Sequence, residues 1–424
     1  MENEKVVKVG ILGLGVVGAE LVSQLINNAG LIKNQTGCSI AIEKIFVRDL
    51  YKPRSIDTTG LSLTTDPLEI IQNPHVQIVC ECMGGNGADL TRNYVLEAIK
   101  NGKHVIMSSK KVLALHAAEL LKSAEKAGVQ LKYDASVGGG IPIAKVFEGA
   151  FKGDNVVKIM GIFNATSNYI YSKMDKGGLS FETALKKAQN KGYAENDPTD
   201  DVDGFDSLYK LTILALFGMK KIIQPSSLLK ESFTKITQVD MKYAHELGYH
   251  IKPVALLKRN GGNFEYKIGP CLVPSDHILA NTFSNNNIIL IEGKNCGELG
   301  FYGQGAGAKP TASVMFDDLL NIIDHGFEKP KNGFSRIETD DLVPYQSKLY
   351  WRFTVSNKIG IILTISKLLA EHNINIEKFI QKEEVDDAME IVLLTSNAGE
   401  KDVNAIIEKL KEKNIANNAL IPFV

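Results

Sequence analysis

The chain enters the glycine turn Gly13-Leu14-Gly15-Val16-Val17-Gly18 directly from the β-branched run at residues 6–12. Such a run reads as a strand buried on both faces. Behind the turn, Val16, Val17, Ala19, Leu21, Val22, Leu25 and Ile26 fit a mostly buried helix. Between a strand and a helix the three glycines have separate tasks: a tight turn, close approach of the backbone to a pyrophosphate, and close packing of helix on strand. The helix N-terminus then receives the phosphate charge. This commits the amino-terminal part to a dinucleotide-binding unit, with Gly13, Gly15, Val16, Val17 and Gly18 at the cofactor.

The next apolar run, residues 40–47, ends in Arg48-Asp49, with Lys52 and Arg54 just beyond. An acid at that strand end holds the ribose hydroxyls of NAD(H), whereas arginine suits the 2'-phosphate of NADP(H). Arg48 stands ahead of Asp49, which favours NADP(H) and leaves NAD(H) open. Further strands are expected at 76–82, 103–107 and 129–133, between helical patterns at 88–100 and 113–127. The alternation implies a Rossmann-type, doubly wound parallel sheet whose ligands gather at the carboxyl ends of its strands. Two such ends stand out, Gly84-Gly85-Asn86-Gly87 and Ser108-Ser109-Lys110-Lys111. A lysine there can deliver a proton to an oxygen reduced by hydride. A solvated surface is the other account of two adjacent lysines.

Residues 192–218 crowd Glu195, Asp201, Asp203, Asp206 and Lys210 against an apolar run. A helix beginning near Asp203 would put Asp203, Asp206 and Lys210 on one face, through spacings of three and four. Capping explains acids at a helix start. A pocket for a small zwitterion explains them too, with carboxylates for an ammonium and a lysine for a carboxylate or a reacting oxygen. The glycine-rich stretch 134–142 lets backbone carbonyls or amides approach a ligand or cation, and equally serves as a hinge. Residues 164–170 read as a helix cap, and period-two runs between 222 and 291 as an antiparallel sheet. His245, His250 and His277 show no ligand spacing. The small residues of 303–312, Gly305 among them, let the chain run over a bound cofactor before a helix returns to the first domain.

At 424 residues the chain has room for two or three domains. A net charge of -1 gives no pull toward nucleic acid or an anionic membrane. The first apolar run is far too short to span a bilayer, and neither a signal peptide nor a transmembrane helix is read. The 5 cysteines are scattered without a CxxC pair, which points to reduced thiols and a cytoplasmic protein.

Seven stretches in this order and spacing resemble the homoserine dehydrogenase family in its longer bacterial form: the turn at 13–18, VRDLYKPR at 47–54, VIMSSKKVLA at 105–114, SVGGGIPI at 136–143, GIFNATSNYI at 161–170, the acidic segment at 192–218, and GELGFYGQGAGAKPTAS at 297–313. The resemblance implies reversible NAD(P)H-dependent reduction of aspartate 4-semialdehyde to homoserine, in threonine, methionine and isoleucine biosynthesis. It assigns Lys110 and Lys210 to stabilising and protonating the alkoxide, with Asp206 also catalytic. Glu195, Asp201, Asp206 and Lys210 are its substrate-binding positions, Glu195 and Asp206 orienting the ammonium. It also implies a sodium ion on the backbone around Val137, Gly139 and Ile141.

Residues 349–424 run strand-helix-strand-strand-helix, with a last strand near 421–424, which resembles an ACT domain. This implies an amino-acid effector, threonine, and a homo-oligomer, dimer or tetramer. The turn before its first helix is Asn357-Lys358-Ile359-Gly360, where ACT domains commonly read Asp-x-Pro-Gly. The expected class is therefore α/β. A dinucleotide-binding domain takes residues 1–135 with a return helix at 310–325. An α+β substrate and dimerisation domain takes 136–309, a linker 326–348, and a ferredoxin-like ACT domain 349–424. Two other readings stay open, a reductase of another small amino-acid aldehyde and a non-catalytic nucleotide and amino-acid sensor. Retention of Lys110, Asp206 and Lys210 and the absence of a basic DNA-reading helix weigh against the sensor.

Overall fold

The computed structural model describes every residue except 1–4, 86, 326–333, 357–358 and 382–387, and leaves out the side chains of 339, 356 and 388. Asn86 of the glycine turn, and Asn357 and Lys358 of the ACT turn, lie outside the described residues. The chain divides into two compact units. The first comprises Met1–Val157, Tyr209–Ser226 and Ile291–Ile337, and the second Lys158–Leu208, Ser227–Leu290 and Glu338–Val424.

The chain opens with β1 (Lys5–Leu12), α1 (Val16–Asn27), α2 (Ala29–Thr36), β2 (Cys38–Phe46), β3 (Leu63–Thr64) and α3 (Leu68–Ile71). It continues with β4 (Ile78–Glu81), α4 (Ala88–Lys100), β5 (His104–Met107), α5 (Lys110–Ala127), β6 (Leu131–Lys132) and α6 (Ile143–Gly149). The six strands pair in parallel in the order β3-β2-β1-β4-β5-β6. The order reverses between β1 and β4, and a nucleotide binds outside the carboxyl ends of those two strands in such a sheet. Val7, Val9 and Ile11 on one face of β1 are fully buried, and Gly10 and Leu12 on the other are buried too, so the second half of the strand is covered on both faces.

The chain then forms β7 (Val156–Ile162), α7 (Ala165–Gly177), α8 (Phe181–Asn190), α9 (Thr199–Val202), α10 (Phe205–Met219), β8 (Lys221–Ile222) and α11 (Gln238–Glu246). After it come β9 (Tyr249–Asn260), β10 (Asn263–Pro274), β11 (Asn286–Gly293), β12 (Gly297–Gln304), α12 (Ala308–Asp324), β13 (Ser335–Arg336) and β14 (Leu342–Pro344). The second sheet runs β12-β11-β7-β9-β10-β14. Its longest pairing is antiparallel β9–β10, and β14 joins β10 in parallel, so the sheet is mixed. Helix α12 packs in the core of the first unit, where Val314, Met315 and Leu319 meet Leu21, Val22 and Leu25 of α1.

The last elements are β15 (Ser347–Ser356), α13 (Ile361–Glu371), β16 (Ile376–Gln381), β17 (Ala388–Ala398), α14 (Glu400–Glu412) and β18 (Asn417–Pro422), with sheet order β16-β17-β15-β18. Alternation along β15 decides what each face covers. Leu349, Trp351 and Phe353 pack with Ile365 and Leu369 of α13 and Ile406 and Leu410 of α14. Tyr350 faces the other way, into a core shared with Tyr171, Met174, Met241 and Ala244. Arg352 follows it, and its Nε donates to Asp240 Oδ1 at 2.6 Å with both side chains buried. Among the described residues no helix is long and apolar enough to cross a membrane.

Candidate active site

A cleft of about 720 Å³ opens at the sheet's switch point, lined by Gly13, Gly15, Val16 and Arg48 together with Cys82, Met83 and the turn after β4. The glycines behave as three different residues. A Cβ on Gly13, whose φ is +106°, would sit 2.7 Å from the Cys82 carbonyl oxygen. One on Gly18 would sit 2.1 Å from the Gly13 carbonyl oxygen. One on Gly15 would meet nothing within 4 Å. The fold itself therefore demands Gly13 and Gly18, whereas the space at Gly15 is open for a ligand. Helix α1 begins there with no side-chain cap and no acid in its first turn. Its amides and dipole are available to an anion, so the residues present fit a dinucleotide.

Arg48 is exposed at the end of β2 and lines this cleft with Lys52 and Arg54. Asp49 is committed to its own turn, its Oδ1 accepting from Tyr51 N at 2.8 Å. The guanidinium of Arg54 donates to the carbonyls of Asp49, at 2.5 Å, and Lys52, at 2.8 Å, and so shapes the loop. Val17 and Gly18 lie in the first turn of α1. Gly305 is buried beyond β12, its backbone against Gly139.

Lys110 is the first residue of α5, one step further than a strand end. Its cap, Ser109, does not use its hydroxyl on the helix. That hydroxyl donates to Glu81 Oε1 at 2.7 Å, and Ser109 N donates to Glu81 Oε2 at 3.0 Å. Glu81 also accepts from Met83 N at 2.7 Å. It is fully buried at the end of β4, and burial raises its pKa. One carboxylate thus ties the turn after β4 to the turn that presents Lys110. Sequence reasoning missed Glu81, although an acid inside the apolar run at 76–82 was the signal.

Helix α10 is buried all round, with Leu208, Leu211, Leu214 and Phe217 on different faces, and it carries Asp206 and Lys210 one turn apart. These are 1% and 8% exposed, and charge held so deep needs a partner or a purpose. Asp203 does not join them. It ends α9 and accepts from Ser232 Oγ at 2.8 Å, because Gly204 at φ +81° breaks the chain direction before α10 starts. The Lys111 ammonium lies 6.0 Å from the Tyr209 ring centroid. This sets the first turn of α5, with Lys110, beside the turn of α10 that carries Lys210.

Asn164, at the N-cap of α7, organises the acids. Its Oδ1 accepts from Ser167 N at 2.6 Å, and its amide donates to Asp201 Oδ1 at 2.7 Å and to Asp206 Oδ2 at 2.8 Å. Ser167 Oγ adds a bond to the Asp201 carbonyl at 2.9 Å. Capping was legible in the sequence; the clamp on two acids was not. Glu195 is exposed in the loop before α9, its carbonyl accepting from Gln189 Nε2 at 3.2 Å.

Val137, Gly139 and Ile141 lie in a turn with Gly138 at φ +83° and Gly139 at φ +60°. Gly140 N donates to the Gln304 carbonyl at 3.1 Å, and Ile143 N to the Ile141 carbonyl at 2.8 Å. Asp134 before it is buried, and its Oδ1 accepts from Ala144 N at 2.9 Å. Burial pushes Asp134 up to about 6. Burial and the Asp134 charge push Asp318, whose Oδ2 accepts from Asp134 N, up to about 8.

Residues 13–134 match the family profile described as homoserine dehydrogenase, NAD binding domain, and residues 142–320 match homoserine dehydrogenase. Residues 352–413 match the ACT domain. The homoserine dehydrogenase of Bacillus subtilis is 32% identical over 421 residues, covering 97% of this chain and 96% of its own. The chain belongs to the homoserine dehydrogenase family. A homoserine dehydrogenase structure from Thiobacillus denitrificans aligns with TM-score 0.91 and 33% identity over 100% of this chain and 99% of its own. A hyperthermophilic archaeal homoserine dehydrogenase, solved with NADPH, shares the fold at TM-score 0.61 and 22% identity, over 77% of this chain and all of its own. The activity is that of the homoserine dehydrogenases, oxidoreduction at a CH–OH group joining homoserine to aspartate 4-semialdehyde.

Proposed function

We propose that in this reaction Lys110 and Lys210 stabilise the developing alkoxide and return its proton, while Glu195 and Asp206 orient the substrate ammonium and Asp201 helps bind the substrate. Bound NADP(H) supplies or takes up the hydride. The observation that carries the assignment is Asp206 and Lys210, one turn apart on a helix buried all round. Asp206 meets the substrate ammonium, and the buried Lys210 one turn on is a strong donor to an alkoxide because little water competes. Asn164 keeps its two acids from turning away from the substrate.

NADP(H) is the preferred cofactor. Arg48 and Lys52 line the cleft while Asp49 is occupied by its own turn, which suits a 2'-phosphate better than a free ribose diol. Sodium takes the carbonyls of Val137, Gly139 and Ile141. The glycine-rich backbone lets carbonyl oxygens approach a hard cation there. The ACT domain binds threonine as an effector, and the chain works as a homo-oligomer. Edge strand β12, with Leu299 and Tyr302 exposed, supports a subunit contact. Four thiols, Cys38, Cys80, Cys82 and Cys271, are buried and unpaired, which suits the reducing cytoplasm.

The test is oxidation of NADPH and of NADH with aspartate 4-semialdehyde, then with other small aldehydes. Turnover with the semialdehyde, and a preference for NADPH that Arg48→Ala reduces, is the expected result. Equal use of both cofactors, unmoved by Arg48→Ala, overturns the cofactor assignment.

A further inference from the structure

Asp175, His245 and His250 show no ligand spacing in the sequence, yet the second unit brings them together from α7, α11 and β9. Asp175 Oδ2 lies 2.9 Å from His250 Nδ1, and Asp175 Oδ1 contacts His245 Nε2. The candidate donor atoms all lie within 4.8 Å of one another, and the two imidazole centroids are 4.7 Å apart. The Asp175 side chain is 2% exposed and that of His245 is 42% exposed, so the cluster is anchored inside and open to solvent at one ligand. Asp175 also sits in the last turn of α7, where the helix dipole disfavours an acid unless cations face it.

We propose that Asp175, His245 and His250 form a site for a borderline divalent metal ion of the zinc class. Two imidazoles and a carboxylate suit such an ion, at bond lengths of about 2.0–2.2 Å and donor separations of about 3.4 Å. Each imidazole binds through its unprotonated nitrogen and keeps its one proton on the other, and the outward position is left for water. Two cations oppose the ion. Lys252 is held by the Thr282 carbonyl at 2.9 Å, and both Lys252 and Lys176 stand over the Phe283 ring, at 3.7 and 3.4 Å. A bound ion would tie α11 and β9 to the carboxyl end of α7, the helix whose other end is capped by Asn164.

Titration of the tag-free full chain with Co2+ and then Zn2+ tests this. The expected result is one Co2+ per chain with ligand-field absorption, displaced by Zn2+, and a rise in Tm. Affinity falls at least about tenfold in His245→Gln and in Asp175→Asn. Cys296→Ser, which removes the one exposed thiol, leaves it unchanged. Absence of saturable binding, or binding lost with Cys296→Ser and kept in His245→Gln, overturns the proposal.

Discussion

Asn164→Ser separates capping from clamping. Serine caps a helix about as well as asparagine, so α7 keeps its acceptor for Ser167 N. It lacks the amide that donates at 2.7 and 2.8 Å to Asp201 and Asp206. A hydrogen bond to a charged group contributes about 1.5–3 kcal/mol. Water entering the vacated space replaces part of the two bonds, so a loss near the value of one is expected. That corresponds to a fall in kcat/KM of about ten- to a hundredfold, carried more by KM than by kcat. The assay is steady-state NADPH oxidation across semialdehyde concentrations, with thermal unfolding alongside. A kcat/KM within about threefold of the unmodified protein, at unchanged Tm, would refute the clamp.

Other outcomes follow from the same geometry. Gly15→Ala should keep Tm and weaken cofactor binding, whereas Gly18→Ala should unfold the amino-terminal domain, because only the second places a Cβ against protein backbone; isothermal titration with NADPH and a melting curve separate the two. Asp318 keeps its proton up to about pH 8 in the native chain and loses it near 3.8 when unfolded, so stability falls as pH rises across that window. Asp318→Asn should therefore raise Tm at pH 8.5 more than at pH 5, and equal shifts would contradict the assignment. Arg352→Ala leaves Asp240 buried without its guanidinium and should cost about 3–5 kcal/mol in denaturant unfolding.

The dinucleotide fold was legible because its signals are local. A strand, a turn and a helix sit within the first 27 residues, and Gly13 and Gly18 report backbone clashes that any such turn must avoid. Lys110 was read as a strand-end lysine and stands instead at the first residue of α5, two residues beyond the turn's start at Ser108. The start of α10 was misplaced because Asp203 fits the helical spacing, and only the positive φ of Gly204 shows that the chain turns first. Asn164 and Glu81 stayed hidden because their roles lie in long-range hydrogen bonds. Asn164 meets Asp201 across 37 residues, and Glu81 meets Ser109 across 28. The cluster of Asp175 with His250 spans 75 residues and has no spacing rule at all.

The central claim is that Lys110 and Lys210 carry the proton side of the hydride transfer. The most direct test is single-turnover reduction of aspartate 4-semialdehyde at saturating NADPH in Lys110→Ala and Lys210→Ala. Each substitution should slow hydride transfer by at least about a hundredfold in a folded protein. A near-unmodified rate in either variant would remove that lysine from the chemistry.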